Sequence, residues 1–409
     1  MAPLSTEAQL DLIRENIAEV MRFDIIEQII DEGRTLKVYW GTATTGRPHC
    51  GYLVPAIKIA QFLAAGCEMT ILLADVHAYL DNLKAPLELV AQRAEYYRFT
   101  ITSLLKAVGV PTDQLRFVLG SSYQHGTDYT LDLYKLSSLV TQRQAQKAAA
   151  EVVKSAENPS ISGLFYPLMQ VLDEQYLDCD AQFGGLDQRK LFAAATEWLP
   201  KLKYRKRAHI MNPMVTGLNG QKMSSSDTNS KIDLLDPPEV VAKKIQAAEC
   251  LPLIWKNNPL MDLVEFVLLP GSALKTGVRE FRVERRGAAP LVYTTMEQVR
   301  ADYEDDVLTP QMVKPAVAKA LADIIAPIQA EFQASQEWQE VALKAYPAPA
   351  KKEKKVRNKG TQFPGAQGEE AKTDGVAQLD NLAIDVKEVA DGAPAEAGTT
   401  HPNSATAGV

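Results

Sequence analysis

Apolar and polar positions follow two rhythms along the first half of the chain. Leu10, Ile13 and Ile17 recur at helical spacing and Thr6 with Gln9 fits a capping box, so the chain opens on a predicted helix. The apolar run Leu36 to Trp40 predicts a buried strand that leads into Gly41-Thr42-Ala43-Thr44-Thr45-Gly46. Helical patterns then cover about 52–65, 86–108, 129–139, a stretch after Gly163, and 187–198. Between them, 69–74, 115–119 and 180–183 read as strands. Strand and helix alternating at this spacing predict βαβ units and an α/β fold with a parallel sheet flanked by helices. Ligands of such sheets sit past the carboxyl ends of the strands.

The rhythm changes near Ser230. Beyond it strand signals thin out and helices are predicted at 237–248, 262–269 and 310–332. The expected organisation is therefore an α/β domain over 1–230, a mostly helical domain over 231–346, and a tail over 347–409. In the tail Ala, Pro, Gly, Lys and acidic residues displace aromatics, which predicts disorder because too little apolar surface can be buried to offset the ordering entropy. The net charge of −7 over 409 residues hides a split there: residues 350–359 hold six Lys or Arg against one Glu, and 360–409 hold eight acidic residues against two lysines. Bulk charge gives no support to a nucleic-acid partner, and only the short basic block does. That block fits phosphate contacts, a nuclear import signal or a solubilising tail equally well.

Composition narrows the class further. Hydrophobic residues at 46% and charged residues at 23% allow a real core. No run of about 18 uncharged apolar residues predicts a membrane span, and Glu7 and Asp11 do not suit a secretory signal. Cys50, Cys67, Cys179 and Cys250 lie far apart with no Cys-x-x-Cys pair, which argues against a zinc knuckle and for a reducing, cytosolic compartment. No His/Asp/Glu cluster suggests a structural metal.

Two segments carry candidate phosphate chemistry. Gly46-Arg47-Pro48-His49-Cys50-Gly51 lies between a predicted strand and a helix, where glycines permit close backbone approach and free N–H groups attract anions. Read alone, it fits an ordinary βα turn. Gly217 to Ser226 is a glycine-bounded loop holding Lys222, Met223, Ser224, Ser225 and Ser226, one positive charge and several hydroxyl donors. Read alone, it fits a flexible linker. A third set is Tyr166, Gln170 and Asp173, whose i, i+4, i+7 spacing puts three polar groups on one face of an otherwise apolar helix. Pro167 suits a first helical position, which would set Tyr166 at the start of that helix.

Position joins these segments. A histidine motif early in an α/β domain and a Lys-Met-Ser-x-Ser loop 173 residues later resemble the two signatures of class I aminoacyl-tRNA synthetases. Tyr39-Trp40-Gly41, the stretch from Leu72 to Leu80, Gly184-Gly185-Leu186-Asp187-Gln188-Arg189-Lys190 and Asn212-Pro213-Met214 extend the likeness. Over about 10–332 the chain resembles the tyrosyl-tRNA synthetases of archaeal and eukaryotic type, fungal forms in particular. The resemblance implies a Rossmann-like, doubly wound sheet, ATP-dependent activation of L-tyrosine to tyrosyl-adenylate, and transfer to tRNA(Tyr). It implies that Tyr39 and Asp173 bind the substrate hydroxyl, while Tyr166, Gln170 and Gln188 hold its ammonium end. ATP would be held by Gly41, Thr44, Thr45, Gly46, Gly51, Tyr52, Gly185, Asp187, Met223, Ser225 and Ser226, with His49, Lys222 and Ser224 as the catalytic donors. Asp187 would take the ribose hydroxyls. Ala74 and His77 match positions lining the same pocket, although His77 and Asp75 also read as core residues.

The sequence departs from the family at three places. Tyr52 stands where the family has a second histidine, Ser225 where it commonly has a second loop lysine, and Thr309-Pro310-Gln311-Met312 lacks the usual acidic anticodon contact. The lost lysine charge motivates the expectation that K⁺ or extra Mg²⁺ assists the Mg²⁺ already carried by ATP. The resemblance also implies a homodimer, with the 129–139 helix near its interface. Competing readings are a tryptophanyl-tRNA synthetase, a small-molecule nucleotidyltransferase and an RNA-binding protein that kept the fold without the activity.

Overall fold

The computed structural model describes residues 4–81, 86–112, 115–153, 160–220 and 230–347; the segment containing Lys222 to Ser226 and the tail from 348 lie outside the described residues. Six strands, β1 (Glu19–Met21), β2 (Lys37–Ala43), β3 (Glu68–Ala74), β4 (Leu115–Leu119), β5 (Ala181–Gly185) and β6 (Ala208–Asn212), form one sheet in the order β1-β6-β5-β2-β3-β4. All neighbours run parallel except β1, which pairs antiparallel with β6. The chain steps outward from β2 to β3 and β4, then crosses back to lay β5 and β6 on the other side of β2. The order therefore reverses between β2 and β5, the doubly wound arrangement that opens a crevice at their carboxyl ends. Helices cover both faces, and β3 accordingly reads as an unbroken buried run from Met69 to Ala74.

Several boundaries differ from the expected ones, each for a local reason. The first helix (Thr6–Arg14) is capped by Ser5, whose Oγ accepts from the Ala8 N–H at 3.2 Å, and no Thr6–Gln9 capping box forms. It ends before Ile17 because Asn16 takes a left-handed φ of 55°. Strand β2 continues through Ala43 because its pairing with β3 runs as far as Ala43 opposite Ala74. The helix Ile161–Tyr176 starts five residues before Tyr166, so Pro167 lies inside it and not at its first position. Tyr166, Leu168, Met169, Val171 and Leu172 are all buried along this helix, and that burial outweighs the hydrogen bond the proline cannot donate. Leu186–Gln188 forms a 3₁₀ turn ahead of the helix Arg189–Trp198. The single helix expected at 262–269 is three pieces, Pro259–Leu263, a π-turn Val264–Leu268 and Leu269–Thr276. Pro270 cannot donate to the Phe266 carbonyl, and the backbone widens immediately before it.

From residue 231 the chain is largely helical but also contains an antiparallel hairpin, β7 (Phe281–Arg285) and β8 (Ala288–Tyr293). Helices Pro238–Ala247 and Pro310–Ala334 pack on each other, and the last described helix, Gln336–Ala345, lies along Leu87–Ala107 of the α/β part. Trp338 is buried there, stacked on Phe99 with ring centroids 5.8 Å apart. One apolar cluster runs from Phe62 and Ile71 through Leu104 to Val313, Leu321 and Trp338. No described helix is long and apolar enough to cross a membrane.

Candidate active site

A cavity of about 360 Å³ opens at the carboxyl ends of β2 and β5, where the strand order reverses. Tyr39, Gly41, Thr45, His49, Gly51, Tyr52, Tyr166, Gln170, Asp173, Gly185, Asp187 and Gln188 all line it, as do Ala74 and His77. Residues as far apart as Tyr39 and Gln188 thus meet in one place. Thr44 and Gly46 are not among the lining residues: Thr44 is fully buried, and the Gly46 carbonyl accepts from the Tyr97 hydroxyl. Lys222, Met223, Ser224, Ser225 and Ser226 fall outside the described residues.

At the inner end, the spacing of the 161–176 helix brings Tyr166, Gln170 and Asp173 to the cavity together. Asp173 is fully buried, and its Oδ1 accepts from Tyr123 at 2.7 Å, Gln124 at 2.8 Å and Tyr129 at 3.0 Å. Its Oδ2 makes no hydrogen bond among the described residues and lies 3.8 Å from His77 Nε2. The Tyr39 hydroxyl, 1% exposed, also has no partner among them. Burial raises the Asp173 carboxyl above its usual range, and His77 with the three donors pulls the other way. Burial and the charge of Asp173 raise the Tyr39 phenol, so it stays a protonated donor at neutral pH. Further out, Gln170 Nε2 donates to Gln188 Oε1 at 2.9 Å, and the His77 ring meets Tyr166 edge-on at 4.7 Å. Asp81 joins the lining on the Tyr166 side.

The outer end is mostly backbone. Gly184 and Gly185 close β5, and a Cβ on Gly185 would come within 2.6 Å of Asp187 Oδ1, one on Gly184 within 2.9 Å of the Phe192 ring. Only glycine lets the strand end, Asp187 and Gln188 approach this closely. His49 caps the short turn Cys50–Tyr52: its Nδ1 accepts from the Gly51 N–H at 3.2 Å, which leaves the proton of a neutral ring on Nε2. Burial, aided by nearby Lys231, pushes the His49 imidazole down to about 4, so the ring is a neutral donor at physiological pH. Tyr52 bonds Thr42 Oγ1 at 3.1 Å and meets the rings of Trp40, His49 and Tyr97 edge-on. It packs the turn as well as touching the cavity.

Other candidates resolve as framework. Asp75 Oδ1 accepts from the Ser121 N–H at 2.9 Å. His209 on β6 and Glu174, both fully buried, pair at 2.8 Å across 35 residues, beyond the reach of any spacing argument. No group of three or more metal-ligating side chains occurs among the described residues. Sequence reasoning missed Tyr123, Gln124 and Tyr129, the residues that hold Asp173. The available signal was the cluster Tyr123-Gln124-His125 just past β4, a strand end in the same sheet.

Known proteins resemble this chain in sequence and in fold. A family model described as tRNA synthetases class I (W and Y) matches residues 31–326. The cytoplasmic tyrosine–tRNA ligase of Saccharomyces cerevisiae is 51% identical over 366 residues, 87% of this chain and 93% of its own length. That of Danio rerio is 48% identical over 361 residues, 88% of this chain and 67% of its own. Among solved structures, the tyrosyl-tRNA synthetase of Archaeoglobus fulgidus complexed with L-tyrosine superposes with a TM-score of 0.74 at 34% identity, covering 80% of this chain and 99% of that one. With a sheet that reverses between β2 and β5, a histidine-capped turn at its carboxyl edge and sequence identity of this extent, the chain belongs to the class I tRNA synthetases of the tryptophan and tyrosine group.

Proposed function

We propose that the protein activates L-tyrosine with ATP and transfers it to tRNA(Tyr). The observation that carries this reading is the pair of buried oxygens, Asp173 Oδ2 and the Tyr39 hydroxyl, without hydrogen-bond partners among the described residues and lining one cavity. A phenol satisfies both at once, donating to the carboxylate and accepting from Tyr39. An indole N–H donates but cannot accept, so tryptophan leaves Tyr39 unpaired, and phenylalanine leaves both unpaired at about 1–3 kcal/mol for each buried group. Gln170, Gln188, Tyr166 and Asp81 suit the ammonium end.

The reaction needs no protein nucleophile. The tyrosine carboxylate attacks the α-phosphorus of ATP, the bond to the bridging oxygen breaks, and pyrophosphate leaves with that electron pair. The protein's part is alignment and donation to the charge that grows on the phosphates. His49 gives Nε2–H, Gly184 and Gly185 let the nucleoside lie against β5, and Asp187 receives the ribose hydroxyls. Lys222 and Ser224 complete the donors in this reading, with Gly41, Thr45, Gly51, Tyr52, Met223, Ser225 and Ser226 around the nucleotide, while Thr44 and Gly46 shape the turn from behind the cavity wall. Mg²⁺ would come with the triphosphate as part of the substrate, and K⁺ would supply the positive charge that Ser225 does not carry.

In the same reading, 231–346 meets the anticodon end of the tRNA and the 350–359 block adds sequence-independent phosphate contacts. A second copy of the chain covers the helix Thr127–Leu139, whose Leu131, Tyr134 and Leu139 are exposed. The cytoplasm is the expected location, matching the names of the relatives, with a nuclear fraction through the basic block. ATP–pyrophosphate exchange with each amino acid in turn tests the central claim. Exchange only with tyrosine is expected, and exchange with tryptophan or with none would overturn it.

A further inference from the structure

Two consecutive carbonyls of the turn that follows β2 are held by phenols from distant parts of the chain. The Gly46 carbonyl accepts from Tyr97, and the Thr45 carbonyl from Tyr346 at 3.3 Å across 301 residues. Tyr346 directly follows the last described helix, Gln336–Ala345. Two guanidinium groups approach its ring, with Arg47 Cζ and Arg93 Cζ each 5.1 Å from the centroid, and it meets Tyr96 edge-on at 5.1 Å. Arg93 also donates from Nε to the Ala345 carbonyl at 3.2 Å, which fixes the helix end. Each planar guanidinium can stack on a ring face, and such contacts strengthen when partly desolvated.

The arrangement reaches the cavity, because Thr45 is one of its lining residues and Arg47 belongs to the same turn as His49. In a trans peptide the C=O and N–H point in opposite directions. Holding the Thr45 and Gly46 carbonyls on the phenols therefore turns the Gly46 and Arg47 N–H groups the other way. Burial keeps the Tyr346 phenol protonated well beyond neutral pH, so it remains a donor throughout the working range.

We propose that Tyr346, held in a cation–π clamp by the Arg47 and Arg93 guanidiniums with its hydroxyl on the Thr45 carbonyl, is a positioning residue for the ATP-binding turn. Through it, the end of the helical region sets the affinity for nucleotide triphosphate but not for the amino acid. This rests on the reading of the cavity as an ATP site, and it adds a determinant that lies outside the cavity walls.

The test uses the full chain with Tyr346→Ala and Tyr346→Phe. It reads the dissociation constant of ATP by equilibrium dialysis, the KM values for ATP and tyrosine in pyrophosphate exchange, and the melting temperature. Tyr346→Ala is expected to weaken ATP about tenfold with tyrosine within twofold, and Tyr346→Phe, which keeps the ring and loses one hydrogen bond, about threefold. ATP affinity unchanged in a folded Tyr346→Ala protein overturns the proposal. So does an equal loss for ATP and tyrosine with a fallen melting temperature, which marks a purely structural role. Should the alanine variant not fold, Tyr346→Phe decides: unchanged ATP affinity overturns the clamp. Wild-type protein that binds ATP but shows no tyrosine-dependent exchange counts against the proposed function alone, since the dialysis readout still judges the clamp.

Discussion

At the Asp173 end of the cavity the walls are side chains holding one another; at the His49 end they are glycines, a capped turn and strand termini. The inner end is tied by its own hydrogen bonds before anything binds. Three donors on one carboxylate oxygen leave the other without a hydrogen bond among the described residues, so in the proposed reading specificity is built in as an arrangement of buried groups. The outer end offers backbone and a neutral imidazole to a ligand that brings its own charge. Damage to the first end should therefore appear as lost amino-acid recognition, and damage to the second as lost rate.

The sharpest way to break that division is at His49. His49→Ala is expected to slow adenylate formation by on the order of 10²-fold or more while tyrosine affinity stays within twofold, and Lys222→Ala should do the same. Single-turnover kinetics with equilibrium tyrosine binding checks both, and a matching loss of tyrosine binding would contradict the assigned roles. Next in size is Asp173→Asn, which keeps the shape and removes the charge. It should lower kcat/KM for tyrosine by about 30- to 100-fold and leave ATP binding intact. Tyr129→Phe removes one of the three bonds to Asp173 Oδ1, and about a fivefold rise in the KM for tyrosine is expected with an unchanged KM for ATP.

Smaller effects sharpen the outer end. The His49 imidazole is held near 4 when folded against about 6.5 when unfolded, so on acidification the unfolded chain takes up the proton first. The stability linked to His49 is thus present above about pH 6.5 and lost as pH falls toward 4. Thermal melts from pH 7 to 4.5 should show a flatter profile for His49→Gln than for the parent. Smallest is the cation effect. Adenylation should run faster in K⁺ than in choline at equal ionic strength, and equal rates would remove K⁺ from the account.

The sheet was legible because buried strands and amphipathic helices carry different periods, and the run 115–119 coincides with β4. Glu19–Met21 is too short to show a period. Ala208–Asn212 is interrupted by His209 and Asn212 and so makes no unbroken apolar run of the kind that marked β3. The face shared by Tyr166, Gln170 and Asp173 followed from helical spacing, but Pro167 misled about where the helix begins. Its position inside the helix is tolerated only because the flanking side chains are buried. The bonds from Tyr123, Gln124 and Tyr129 to Asp173 span 44 to 50 residues, a distance over which spacing carries no information. Motif residues could be named from sequence; the groups that aim them could not.

Asp173 and Glu174 are neighbours in the chain with opposite commitments, one to the cavity and the other to His209 of β6. Successive residues on a helix point about 100° apart, so a slide or roll of this segment by a single position would strand both carboxylates at once. The pair therefore acts as a key in a slot, locking the segment's rotation. In the proposed reading, drift toward a different amino acid proceeds by exchanging side chains in place, because turning the segment would cost both pairings together.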